Sequence, residues 1–186
     1  MVGTKMGERF VQIGCAHGGR LGAVAAKVGL SGRAVALVPD EASAERARKG
    51  AAQAGVLVEV DVAPVTALPV EERAFDVAVV DDTGGLVGTS RPDDRAGLVR
   101  ELFRILRPAG RVIVIGSVSQ GGLGALFRRA GSERSFAASG ALHELLTASG
   151  FRPVRTLAER DGLIFVEAMK PREGGMEKAG RAGKAG

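Results

Sequence analysis

The sequence predicts an α/β protein, a mostly parallel sheet with helices on both faces and one antiparallel strand closing it. Three observations predict this. Near the start, the apolar run Phe10 to Gly14 crosses a small-residue turn into the alanine-rich run Leu21 to Leu30. Apolar runs then alternate with helical patterns along most of the chain. Near the end, Asp161-Gly162 separates two apolar runs, and a turn that short joins only antiparallel strands.

The elements follow in order. Phe10 to Gly14 reads as a buried strand and Gly18 to Val28 as a helix. Arg33 to Val38 is the second strand, stopped by Pro39. Asp40 is a natural N-cap for a charged, alanine-rich helix over Glu41 to Ala54, which Gly55 closes. Val56 to Val62 is read as the third strand and Phe75 to Val80 as the fourth, ending at Asp81-Asp82. A helix starts at Asp93 or Asp94 and runs to Leu106, with Leu98, Leu102, Ile105 and Leu106 on one face. Pro108-Ala109-Gly110 is read as a turn before the strand Arg111 to Ile115. The pattern then loosens through Gly121-Gly122, Gly124 and the basic pair Arg128-Arg129. Gly140 to Ser149 is helical, capped by Gly150, and Pro153 to Ala158 and Leu163 to Met169 form the closing hairpin.

Composition narrows the function classes. The 186 residues carry 45% hydrophobic and 25% charged residues, as an ordinary globular chain does. With no Trp or Tyr, stacking on single-stranded nucleic acid would rest on Phe alone. Most of the net charge of +5 sits in the tail, where five basic residues from Lys170 onward face only Glu173 and Glu177. Nucleic-acid binding is therefore not expected, and residues 171–186 read as a disordered, solvated Gly/Ala-rich tail on a single domain over 1–170. No run is long and apolar enough for a membrane span. The start lacks a signal-peptide core, and a single cysteine suits a reducing compartment. The expected location is cytoplasmic. Two His and one Cys do not make a metal-ligand set.

Several phrases together resemble class I S-adenosylmethionine-dependent methyltransferases. Val99 to Val114, containing Leu106-Arg107-Pro108-Ala109-Gly110, is similar to their leucine-rich helix, "L-[KR]-P-G-G" turn and fifth strand. Leu145-Leu146-Thr147-Ala148-Ser149-Gly150-Phe151 is similar to their late "L-L-x-x-A-G-F". Ala67-Leu68-Pro69 and Phe75-Asp76-Val77 stand where the family has "A-L-P" and "F-D-V". The resemblance covers about residues 9–169 and is nearest to the small-molecule branch that includes quinone-biosynthesis C-methyltransferases. It implies a three-layer Rossmann-like sandwich of seven strands in the order 3-2-1-4-5-7-6, strand 7 antiparallel. It also implies S-adenosylmethionine as cofactor.

The resemblance assigns the cofactor to Gly14, Cys15, Ala16 and Gly18 in the first loop, Val38, Pro39 and Asp40 after the second strand, Ala63 and Pro64 after the third, and Asp81 after the fourth. The chain departs from the family at several of these. The acid of the first strand falls on Gln12, the ribose-binding acid on Val38 and the adenine-binding acid on Pro64. Valine accepts no hydroxyl proton, and each donor left unpaired costs about 1–3 kcal/mol. Asp40, two residues beyond Val38, is the candidate replacement after a small loop shift. Two readings follow: a methyltransferase with an atypical cofactor site, or a non-catalytic protein on the same fold that has lost the cofactor and partners an active enzyme. The spacing Gly14-x-Ala16-x-x-Gly19 also mimics a nicotinamide-dinucleotide fingerprint, but the Leu106 to Gly110 phrase and the closing hairpin count against that.

Methyl transfer needs in-line alignment and sometimes a base. His17, Asp81 and Asp82 are the candidates near the strand ends. Only nine residues precede the first strand, where the family carries a helical lid. The resemblance thus implies an open pocket, suited to a bulky small-molecule or protein acceptor, or to a homodimer or partner protein that supplies the missing wall.

Overall fold

A computed structural model describes residues 2–118 and 136–172. Seven strands and four helices alternate: β1 Arg9–Ile13, α1 Gly18–Val28, β2 Arg33–Val38, α2 Glu41–Ala54, β3 Glu59–Val62, β4 Phe75–Asp82, α3 Pro92–Ile105, β5 Leu106–Ser117, α4 Gly140–Ala148, β6 Val154–Arg160 and β7 Leu163–Met169. They form one sheet in the order β3-β2-β1-β4-β5-β7-β6. The first five strands are parallel, and β7 runs antiparallel to both β5 and β6. This is the expected seven-stranded topology. At the β6–β7 turn, Asp161 and Gly162 both have positive φ, 53° and 72°, the backbone a two-residue hairpin turn demands.

Alternation along the central strands splits the core into two layers. Val11, Ile13, Ala78, Val80, Val112 and Val114 pack toward α3 and α4, with Leu98, Leu102, Leu142, Leu146 and Phe151. Phe10, Ala36, Val38, Val77, Val79 and Ile113 pack toward α1 and α2, with Leu21, Ala25, Val28, Ala44 and Ala47. The α1–α2 layer is built on small residues, so the two helices approach closely.

Several boundaries differ from expectation, those of β1 and β6 by one or two residues. β3 begins only at Glu59, because Leu57 points into solvent at 82% exposure and has no neighbouring strand to cover it. β4 continues through Asp81 and Asp82, which pair with Ile115 and Gly116 of β5. The helix α3 starts at Pro92, which needs no N–H partner in the first turn, while Asp93 and Asp94 lie inside that turn against the helix dipole. Pro108-Ala109-Gly110 belongs to β5 as an irregularity between the pairs Phe75–Leu106 and Val77–Arg111, with Ala109 in the left-handed region at φ 64°. Its N–H reaches Lys170 O at 3.0 Å, so the distortion joins the sheet instead of leaving it. The helix α2 begins and ends as expected, with Ser43 N–H donating to Asp40 Oδ1 at 2.7 Å and Gly55 left-handed. The Gly121 to Gly124 stretch, the Arg128-Arg129 patch and most of the tail lie outside the described residues.

Candidate functional site

The strand order places the ends of β2, β1 and β4 side by side, and a cleft of about 170 Å³ opens across them. Gly14, Cys15 and Ala16 form its middle. Pro39, Asp40, Ser43 and Arg46 wall the β2 side, and Asp81, Gly84 and Leu86 the β4 side. Six of the expected cofactor residues thus share one cavity: Gly14, Cys15, Ala16, Pro39, Asp40 and Asp81.

The loop after β1 is held by its own surroundings. Gly14 N–H donates to Leu37 O at 2.8 Å, and the buried Gln12 amide donates to Gly14 O at 2.9 Å. Arg46 Nε donates to Cys15 O at 3.0 Å, while its Nη2 donates to Ser43 Oγ at 2.7 Å. Ala16 N–H donates to Asp81 Oδ2 at 3.0 Å. Gly14 adopts φ +77°, and a Cβ there would lie 2.6 Å from Leu86 Cδ2. Only glycine meets both conditions.

Asp81 is 2% exposed and fully engaged. Besides Ala16, it accepts from Arg20 Nη2 at 3.2 Å and Thr83 Oγ1 at 2.6 Å, and Arg20 Nη2 also bonds Thr83 Oγ1. Arg20 Nε is buried with no partner among the described residues. Burial, then the Asp81 charge, pushes the Cys15 thiol above its ordinary value, so Cys15 is a packed thiol and not a nucleophile. Asp40 is exposed, and its bond from Ser43 N–H holds its carboxyl below the ordinary range. It therefore stays ionised beside the loop.

The other expected residues lie elsewhere. Gly18 faces α2: a Cβ on it would meet Arg46 O at 2.2 Å, so its small size serves helix packing. Val38 is fully buried in the α1–α2 core, with its carbonyl accepting from Ala63 N–H at 2.9 Å. Ala63 is buried and Pro64 exposed, and neither lines the cleft. His17 is the exposed N-cap of α1 and makes no side-chain cap bond. Asp82 points to the opposite face of the sheet from Asp81, where its Oδ1 accepts from Val87 N–H at 2.6 Å and Gly88 N–H at 3.1 Å. Desolvation pushes its carboxyl above the ordinary value. It anchors a loop. Sequence reasoning did not find Ser43, Arg46, Gly84 or Leu86. The first two sit three and six residues past Asp40, on the helix face turned to the loop, a placement that only the α1–α2 approach reveals.

Two carboxylates thus border the cleft, Asp40 on the β2 side and Asp81 on the β4 side. Asp40, ionised at the wall of the cleft, is an acceptor of the kind nucleoside hydroxyls require. No group of this cleft replaces the missing acid at Pro64.

Among the described residues no helix is long and apolar enough to cross a membrane, and no cluster of three or more His, Cys, Asp or Glu could hold a metal ion. A family model of the methyltransferase domain matches residues 10–110. A 37.1 kDa protein in transposon Tn4556 of Streptomyces fradiae is 32% identical over 111 residues, 60% of this chain and 30% of that protein. The chain therefore spans less than a third of that curated relative. Two solved structures share the fold at lower identity. One is an S-adenosylmethionine-dependent methyltransferase from Aquifex aeolicus, with TM-score 0.70, 20% identity and coverage of 90% of this chain and 84% of that one. The other is the [4+2]-cyclase SpnF, with TM-score 0.66, 18% identity and coverage of 90% and 76%.

Proposed function

The chain belongs to the methyltransferase-domain family, and on that premise we propose that it binds S-adenosylmethionine in the β2–β1–β4 cleft and passes a methyl group to an acceptor. Asp40 carries this reading. It lines the same cleft as the glycine loop, where an ionised carboxylate can accept both ribose hydroxyl protons. The substitution at Val38 therefore moves the acid by two residues without removing it.

The cofactor, when bound, supplies an electrophilic methyl on sulfonium. The chain's part is to hold and orient it. Asp40 takes the ribose and the rigid Gly14–Ala16 backbone supports the ligand, while Asp81, bonded to Ala16 N–H, Arg20 and Thr83, holds that backbone in place. His17 is exposed on the α1 cap and Asp82 is tied to Val87 and Gly88, so neither is assigned as a base. The acceptor is a small molecule or a protein that reaches the open side of the cleft.

A second reading is favoured by two observations. Asp81 already occupies the Ala16 N–H, and the cleft is small. A non-catalytic protein on this fold, paired with an active methyltransferase, would show both features. Calorimetric titration with S-adenosylmethionine and S-adenosylhomocysteine separates the two. Saturable binding weakened by Asp40→Asn supports the cofactor reading; no heat at millimolar ligand with folded protein supports the second.

A further inference from the structure

Leu86 lines the cleft on its β4 side. It reaches back from the loop after β4 and packs on the Gly14 backbone, close enough that a Cβ on Gly14 would lie 2.6 Å from Leu86 Cδ2. Its loop is pinned on both sides. Before it, Thr83 is bound to Asp81 and Arg20. After it, Asp82 Oδ1 accepts from Val87 and Gly88 N–H. Arg95 donates to Val87 O at 2.9 Å and Gly88 O at 2.6 Å, and its guanidinium lies 4.3 Å from the Phe136 ring centroid. The leucine is thus held at the β4 end of the cleft.

We infer that Leu86 is a specificity-determining residue: it leaves room for a nucleoside at the Asp40 end and closes the β4 end against the amino-acid arm of an adenosyl sulfonium or thioether. The inference rests on the reading that Asp40 takes the ribose. Two observations carry it. The cleft measures about 170 Å³, below the roughly 300–1,000 Å³ of sites that enclose a drug-sized ligand. On the β4 side, Ala16 N–H is already spent on Asp81 Oδ2, so it is not offered to the carboxylate of the arm. The arm-free nucleoside thioether is the better ligand for the cleft as built, and the full cofactor binds more weakly until Leu86 is displaced.

The test is calorimetric titration of full-length wild type, Leu86→Ala and Leu86→Phe with 5′-methylthioadenosine and S-adenosylhomocysteine, with thermal melts to establish folding. Wild type is expected to favour 5′-methylthioadenosine by at least about tenfold. Leu86→Ala is expected to tighten S-adenosylhomocysteine by about tenfold or more while changing 5′-methylthioadenosine by less than about threefold. Leu86→Phe is expected to widen the gap. An unchanged ratio between the two ligands in both variants overturns the role of Leu86 and leaves the cofactor reading standing. Binding of neither ligand by folded wild type and folded Leu86→Ala overturns both.

Discussion

Gly18 and Gly50 meet backbone to backbone: a Cβ on Gly18 would lie 2.8 Å from Gly50 Cα, and one on Gly50 would lie 2.4 Å from Gly18 Cα. This contact brings α2 against the start of α1 and so delivers Arg46 and Ser43 to the loop. Gly18→Ala is expected to destabilise the protein by about 1–3 kcal/mol through overpacking against backbone that cannot yield. Gly19, one residue on, has nothing within 4 Å of where a Cβ would stand. Gly19→Ala is expected to stabilise by roughly 0.4–1 kcal/mol. Urea unfolding of both variants reads the contrast. Equal effects at the two positions would mean the packing role of Gly18 is wrong.

The Asp81–Arg20 pair ties the glycine loop to the end of β4 through Ala16 N–H and Thr83. Removing the carboxylate leaves Arg20 uncompensated beside a core, although Arg20 keeps 28% of its side chain exposed. Asp81→Ala is expected to cost on the order of 3 kcal/mol and to loosen the loop. Hydrogen exchange at the Ala16 amide should accelerate well beyond what global destabilisation explains. Protection equal to wild type after correction for stability would contradict the anchoring role.

Asp82 gives a pH signature. Burial raises its folded-state carboxyl above the ordinary value of 3.8. The folded state then binds the proton more tightly than the unfolded state, so the associated stability is full below 3.8 and is lost as pH rises through the raised folded value. Asp82→Asn keeps an oxygen for Val87 and Gly88 N–H without the charge. The melting temperature of wild type relative to this variant is expected to fall as pH rises through that window. A parallel pair of curves would remove the desolvation account.

Asp40 has the opposite sign. Its carboxyl is held below the ordinary value by Ser43 N–H, so its contribution to stability is present above that value and lost as pH falls through the lowered folded value. Asp40→Ala should flatten this acid limb, while Asp40→Asn should retain the cap bond at neutral pH. Melts from neutral to acid pH, compared across the three proteins, check it. An unaltered acid limb in Asp40→Ala would count against the cap.

The architecture is readable from the chain because its signals are local. Continuous apolar runs such as Arg33–Val38, the cap pair Asp40 and Gly55, and the Asp161-Gly162 turn each state their conformation within a few residues. Where the signal depends on neighbours, sequence reading stops short. Pro108-Ala109-Gly110 looks like a turn until Lys170 is seen to receive the Ala109 N–H, and Leu57 looks like strand until it is found without a cover. The cleft divides the same way. Gly14 to Ala16 and Asp40 are placed at the site by the family resemblance. Arg46 and Leu86 reach the site only through the α1–α2 approach and the Asp82-anchored loop. Gly18 shows why a glycine motif alone is ambiguous, since close helix packing and ligand approach call for the same residue.

The most direct measurement of the central claim is equilibrium titration of wild type and Asp40→Asn with S-adenosylmethionine. The cap is kept in the variant and only the charge is removed, so folding is not at issue. Saturable binding by wild type, weakened at least about tenfold in Asp40→Asn, is the result this account predicts. Equal affinity in the two proteins, or no binding by wild type, would contradict it.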